Sequence, residues 1–182
     1  MKKVFFLLLL TLLSITKAIA QNNLPPVYEI TTDTVLNNTL PDPYWQILED
    51  NGDKLSFEEV SKSPLAEKFH YNTGKKLLSD RSNRGYWFRY VLKNQMAYVT
   101  KICFNNGLND FNEQSEFYYI NSHGEVNRQV NGFITPWSKL NGLKEYRIIP
   151  IELRPGEQLV VYRRVFNSFR YFFLFGYYLG RI

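Results

Sequence analysis

The chain has 182 residues, 16% of them aromatic, a single cysteine and a formal charge of +5. Lys2, Lys3 and Lys17 supply three of those charges within a first stretch of 20 residues that holds no acid, so the remainder carries only +2 and the pI near 9.2 overstates its basicity. Basic residues are spread rather than clustered, which argues against nucleic-acid binding, and the roughly 160 residues that follow the first 20 make one domain with room for a real core.

Residues 1–20 read as a secretory signal peptide: Lys2 and Lys3, an apolar run from Val4 to Leu13, and the small-x-small end Ala18-Ile19-Ala20 before Gln21. No cysteine follows that run, so the lipid-anchored type of signal is not supported. Nothing after Gln21 reaches the roughly 20 apolar residues of a membrane helix. The mature product is therefore expected to be exported across the inner membrane, without a span of its own, to a periplasmic or extracellular location.

Residues 21–43 form a proline-rich lead with one strand, Tyr28 to Leu36, in which Thr alternates with Ile and Val. Asn37-Asn38-Thr39 matches the short and common glycosylation acceptor. "YWQILED" then runs into the turn "NGD" at Asn51 to Asp53. The acids around it do not fall at the spacing of a calcium loop, and turn chemistry accounts for them. "LSFEEVSKSPLAEKF" is the helical passage: Ser56 and Glu59 stand at capping-box spacing, and Pro64 opens a second short turn.

From Gly85 onward strand signals dominate: Tyr86 to Lys93, Tyr98 to Phe104, Phe117 to Asn121, Glu125 to Val130, Tyr146 to Leu153, Gln158 to Phe166 and Phe169 to Leu179. Gly, Asn and Pro separate them, and "NSHG" and "RPGE" read as hairpin turns. The pattern predicts an all-β fold, an antiparallel β-sandwich over residues 44–182 with short helical turns. Cys103 lies in the apolar strand "YVTKICFN" and reads as a packing thiol. Neither His70 nor His123 stands in a catalytic signature, and no paired carboxylates, triad or metal cluster stands out, so no enzyme activity, metal or cofactor is expected.

The order of the pieces resembles the type 2 extracellular domain of the seven-transmembrane receptors with diverse intracellular signalling modules (7TMR-DISM). A D-x-x-x-L-S/T-x-E-x-V segment matches Asp50, Leu55, Ser56, Glu58 and Val60, one residue looser at its start. W-x-R-x-x-L-x-N matches Trp87, Arg89, Leu92 and Asn94, and a late hairpin pattern matches Leu153, Gly156, Glu157, Leu159, Tyr162, Arg164 and Val165. The resemblance spans roughly Tyr44 to Leu174. It implies a jelly-roll sandwich like a carbohydrate-binding module that senses a small extracellular ligand and signals through membrane helices to a cytoplasmic output module. Because the chain ends at Arg181-Ile182, the resemblance implies a stand-alone or truncated form, or an output that belongs to another polypeptide such as a membrane receptor or histidine kinase.

Strand parity singles out candidate binding residues. Phe88, Tyr90 and Leu92 share one side of their strand and are assigned to the core; Trp87 and Arg89 share the other. Leu159, Val161 and Val165 likewise oppose Val160, Tyr162, Arg164 and Phe166. Trp87, Arg89, Tyr162 and Arg164 are thus expected to form one outward patch. It either stacks on and hydrogen-bonds a carbohydrate or small molecule, or forms an aromatic and cation-π ladder beneath the N-terminal segment. Arg163 sits among inward positions, where a bulge or an acidic partner would explain it. Trp137, in the loop "GFITPWSKLNGL", is a further binding candidate. The leading function is a non-enzymatic ligand-binding sensor domain; the alternative is a structural or adaptor domain that contacts another envelope protein.

Overall fold

A strand that alternates aromatic with polar residues buries one face, so it needs neighbours on its edges and a second layer over that face. The computed structural model describes residues 23–31, 38–52, 54–71, 84–105, 114–132, 134–141, 148–167 and 178–180. Its strands are β1 (Val27–Ile30), β2 (Asn38–Thr39), β3 (Trp45–Asn51), β4 (Arg84–Asn94), β5 (Thr100–Asn105), β6 (Gln114–Ile120), β7 (Val126–Asn131), β8 (Ile148–Leu153), β9 (Gln158–Asn167) and β10 (Tyr178–Gly180). They make two sheets. The larger runs β1-β4-β9-β6-β7, with β3 also on β4, and the smaller runs β2-β10-β5-β8.

The protein is an all-β sandwich, as the strand pattern predicts, with one departure from antiparallel pairing among the described strands: β1 runs parallel to β4. β3 pairs with Arg84 to Tyr90 of β4 and β1 with Val91 to Asn94, so the two share one edge of that strand. The signal segment, Asn37, Cys103's side chain and most of the strand foreseen over Phe169 to Leu179 lie outside the described residues.

"NSHG" is the hairpin turn expected of it, since Ile120 pairs with Val126 across it and Gly124 takes a φ of 81°. "RPGE" is not a hairpin. β8 pairs with β5 in the small sheet and β9 with β4 and β6 in the large one, so Arg154 to Glu157 carry the chain between layers. The sequence marks a turn there, with Gly156 at φ 72°, but turn residues do not say which sheet the next strand joins.

Between the sheets lies a core that includes Trp45, Ile47, Tyr86, Phe88, Tyr90, Leu92, Phe117, Ile149, Ile151, Leu153, Val161 and Val165, so the inward parity read for β4 and β9 holds. Arg163 belongs to this inward face and is 1% exposed. The ladder through Phe88, Arg163 and Phe117 is unbroken, which removes the bulge explanation. Its Nε donates to Ser115 Oγ at 3.1 Å, and its guanidinium stands 5.1 Å from the Phe117 ring centre.

A third layer covers the opposite face of the large sheet. Helix α1 (Phe57–Val60) starts at the capping box foreseen for Ser56 and Glu59, and a 3-10 turn (Leu65–Lys68) follows Pro64. Their Phe57, Val60 and Phe69 pack with Leu48, Trp87 and Tyr162 in a second cluster. The layer is tied to β3 at both ends. Asp50 accepts from the amides of Lys54 (2.9 Å) and Leu55 (3.0 Å), and His70 exchanges backbone hydrogen bonds with Ile47.

Asp50 is 2% exposed, so Asp50→Ala would leave two amides without their acceptor. We expect it to cost about 2 kcal/mol in urea denaturation, with an unchanged m-value because the surface exposed on unfolding is the same.

Candidate functional site

The strand register arranges the outer face of the large sheet in rows. One row crosses it as Gln46, Arg89, Tyr162, Tyr118 and Arg128; the next as Leu48, Trp87, Arg164, Glu116 and Val130. Trp87, Arg89, Tyr162 and Arg164 therefore share one face of one sheet on adjacent strands. They do not share solvent. Trp87 is 0%, Arg89 2% and Tyr162 4% exposed, because the α1 layer lies on them; Arg164 at the margin is half-buried. The expectation of an outward, accessible face is corrected to that extent. Parity names the side of a sheet, whereas a segment elsewhere in the chain decides whether that side meets water.

Every nitrogen of the Arg89 guanidinium is engaged. Nε and Nη2 both donate to Gln46 Oε1 (3.1 and 2.6 Å), Nη1 to the Ala66 carbonyl (3.0 Å) and Nη2 to the Asn23 carbonyl (2.7 Å), while its centre lies 4.3 Å from the Phe69 ring. Burial lowers its pKa, opposed by the Tyr162 hydroxyl, yet an arginine stays charged. Among the described residues no carboxylate pairs with it; carbonyl dipoles, the Tyr162 hydroxyl and an aromatic face stand against the charge. One side chain thus binds β3, the α1 layer and the N-terminal segment together. Trp87 Nε1 is buried without an acceptor among the described residues.

At the margin of the cover a polar cluster begins. Phe57 stacks on Tyr118 at 4.5 Å, with the rings within 1° of parallel. Tyr118 donates to Glu116 Oε2 and accepts from Arg128 Nε (3.1 Å), and Arg128 Nη2 stands 2.9 Å from Glu116 Oε1. Arg164 approaches Glu116 Oε2 at 3.9 Å, with its guanidinium 5.7 Å from the Trp87 ring centre. Burial above all, then the hydrogen bond to Glu116, pushes the Tyr118 pKa up to about 12. The Glu116 hydrogen bond raises that of Arg128.

Trp137 is not brought to the patch. It stands in a 3-10 turn (Trp137–Lys139) beyond β7, 59% exposed, with Ile134 nearby in sequence at 53%.

An open concavity lies elsewhere, and single-strand reasoning does not reach it. A cleft of about 1070 Å³ lies where the β6–β7 hairpin faces β8 and the two inter-sheet turns. Tyr119, Asn121, Ser122, His123, Glu125 and Asn127 line it from the hairpin; Val99, Lys101, Pro150, Glu152 and residues 154–157 line it from the other side. Its carboxylates are engaged locally: Glu152 with Lys101 at 3.0 Å, Glu125 with Asn121 Nδ2 at 2.7 Å, and Glu157 with the Arg154 amide at 2.8 Å. The signals for it were the turns "NSHG" and "RPGE", legible separately but not as facing walls. Among the described residues no group of His, Cys, Asp and Glu could hold a metal ion, and no helix is long and apolar enough to cross a membrane.

A family model described as 7TMR-DISM extracellular 2 matches residues 42–172. No curated protein matches the chain.

Two outcomes follow from the buried arginine and the marginal tyrosine. Arg89→Ala should cost about 3 kcal/mol in denaturant titration, because it strands several buried acceptors, and Arg89→Lys should recover only part of it, since one ammonium cannot reach the spread of acceptors that the planar fork spans. Tyr118 has a raised folded-state pKa, so its contribution to stability is complete below the unfolded value near 10 and declines as pH rises toward about 12. Tyr118→Phe should flatten that alkaline decline in pH-dependent melting, and tyrosinate absorbance should lose one late-titrating phenol.

Proposed function

The chain belongs to the 7TMR-DISM extracellular 2 family, whose members are sensory extracellular domains, and from that premise we propose that it is a non-enzymatic sensor domain taking a small hydroxylated ligand, a carbohydrate foremost, in the cleft between the β6–β7 hairpin and the β8 side. The observation that carries this reading is the lining. Tyr119 offers an aromatic face and Asn127 and Ser122 offer neutral donors and acceptors, beside the Asn121 amide that shapes the turn. The carboxylates are already hydrogen-bonded or ion-paired, so they present acceptors to hydroxyl groups rather than unmatched charge.

In this reading Trp87, Arg89 and Tyr162 serve the ligand indirectly. Their burial holds the large sheet, the α1 layer and the N-terminal segment as one rigid body on which the hairpin is mounted. Arg164 closes the same row beside Glu116.

A second reading, an adaptor domain that contacts another envelope protein, is favoured by the exposed Ile134 and Trp137 in the loop after β7.

A glycan array on the protein from residue 21 onward, followed by titration calorimetry, tests the first reading. Asn127→Ala and Glu152→Gln, both at exposed positions, should each weaken binding by about tenfold, with melting temperatures within a degree or so of the parent. Trp137→Ala should leave the affinity unchanged. Binding abolished by Trp137→Ala and indifferent to the cleft changes would move the site to the loop; no glycan bound by the parent protein would remove the carbohydrate reading.

A further inference from the structure

The cleft has one wall made of chain that passes between the sheets. Val99 ends the crossing from β4 to β5, and Arg154 to Glu157 form the crossing from β8 to β9. These crossings are separated by more than fifty residues in sequence, yet both are fastened to one residue, the first by its side chain and the second by its main chain.

Asn94 is 0% exposed, at the last position of β4. Its Nδ2 donates to the carbonyls of Tyr98 and Leu153, each at 2.9 Å, and its Oδ1 accepts from the Met96 amide (2.9 Å) and the Thr100 hydroxyl (3.2 Å). Its backbone amide donates to Glu157 O at 3.0 Å, and its carbonyl accepts from the Gly156 amide at 2.9 Å. Only a primary amide supplies two donors and a two-lone-pair acceptor at this length, and here all are used. The neighbouring Gln95 extends the set toward the N-terminal segment: its amide donates to Ile30 O at 3.0 Å and its Nε2 to Glu29 Oε1 at 2.7 Å.

We infer, on the reading of the cleft as the ligand site, that Asn94 is the positioning residue of the cleft wall and the joint that couples this wall to β1. The two crossings cannot shift independently while one residue holds both, its side chain bonded to Met96, Tyr98 and the end of β8 at Leu153 and its main chain to Gly156 and Glu157. A displacement at Val99 or at the Arg154 to Glu157 turn strains the bonds at Asn94, and the next peptide passes it to the Ile30 carbonyl. β1 is the element suited to respond. It has four residues and is held by a parallel ladder on one edge of β4, a pairing slightly weaker per residue than the antiparallel ladders elsewhere in that sheet.

Amide hydrogen exchange, resolved by NMR on the ligand-free protein, tests the joint. Asn94→Asp keeps the acceptor and loses both donors. The amides of Asn94, Gln95 and Gly156 should exchange together, about tenfold faster than in the parent, while the Gly124 amide of the β6–β7 hairpin and core amides of β9 keep their protection. Thr100→Val removes a single bond to Oδ1 and should accelerate the same three amides by a smaller factor; it decides the matter by the same criterion if Asn94→Asp fails to fold. An equal acceleration of every amide would reduce Asn94 to a contributor to global stability. A response at Gly156 without one at Gln95 would sever the link to β1. A parent protein that binds no glycan would strike the cleft reading and leave this exchange pattern as it is.

Discussion

A guanidinium removed from water must find acceptors for its hydrogens, and in this protein that requirement sits at the centre of the large sheet. Arg89 stands on β4, the strand that pairs with β1, β3 and β9. Its acceptors come from β3, from the α1 layer and from the N-terminal segment; the strand ladders hold β3 and β1 to β4, but they do not hold the α1 layer. Losing any of them leaves a buried cation short of partners, an outcome that costs several times an ordinary hydrogen bond. The third layer is thereby fixed by a polar demand, and its apolar residues add to it: Phe57, Val60 and Phe69 are each less than 10% exposed, and burial of such side chains is worth about 1.5–3 kcal/mol apiece.

Covering one half of the outer face has an electrostatic consequence at its border. Beyond Phe57 the row continues into water, and there the sheet carries Glu116 between Arg128 and Arg164, with Tyr118 bridging the covered and open halves. The Glu116 carboxylate is shielded enough for its hydrogen bond to disfavour ionisation of Tyr118, yet close enough to solvent that the cluster forms a rim and not a core pair. The aromatic and cationic residues that look like a recognition surface along one strand are, in cross-section, a graded seam from dry ladder to wet edge.

The same division of labour separates the scaffold from the proposed site. The large sheet is packed on both faces over β3, β4 and β9 and has little freedom there, whereas the β6–β7 hairpin projects beside the β8 side of the small sheet and leaves a concavity with neutral amides, an aromatic ring and locally paired charges. A rigid platform with an open rim is the arrangement that lets a sensory domain recognise a ligand without reorganising its core.

Much of this was written in local sequence. Strand positions, the inward parity of Phe88, Tyr90 and Leu92, the capping box at Ser56 and the hairpin at "NSHG" follow from periods of two residues, from side-chain chemistry within one turn and from glycine's backbone freedom, all of which act over a few residues. The family resemblance was legible for the same reason, through short patterns in order. Whether Trp87 and Arg89 would see solvent was not, because it depends on residues 55–70 folding back over β4. Nor was the role of "RPGE", since a turn's composition is the same whether the next strand joins its own sheet or crosses to the other. The buried fate of Arg163, the facing of two turns across a cleft and the meeting of two distant crossings at Asn94 belong to contacts between segments far apart in the chain, and only the packed structure decides those, because burial and hydrogen-bond partnership are properties of where chains meet and not of the residues that compose them.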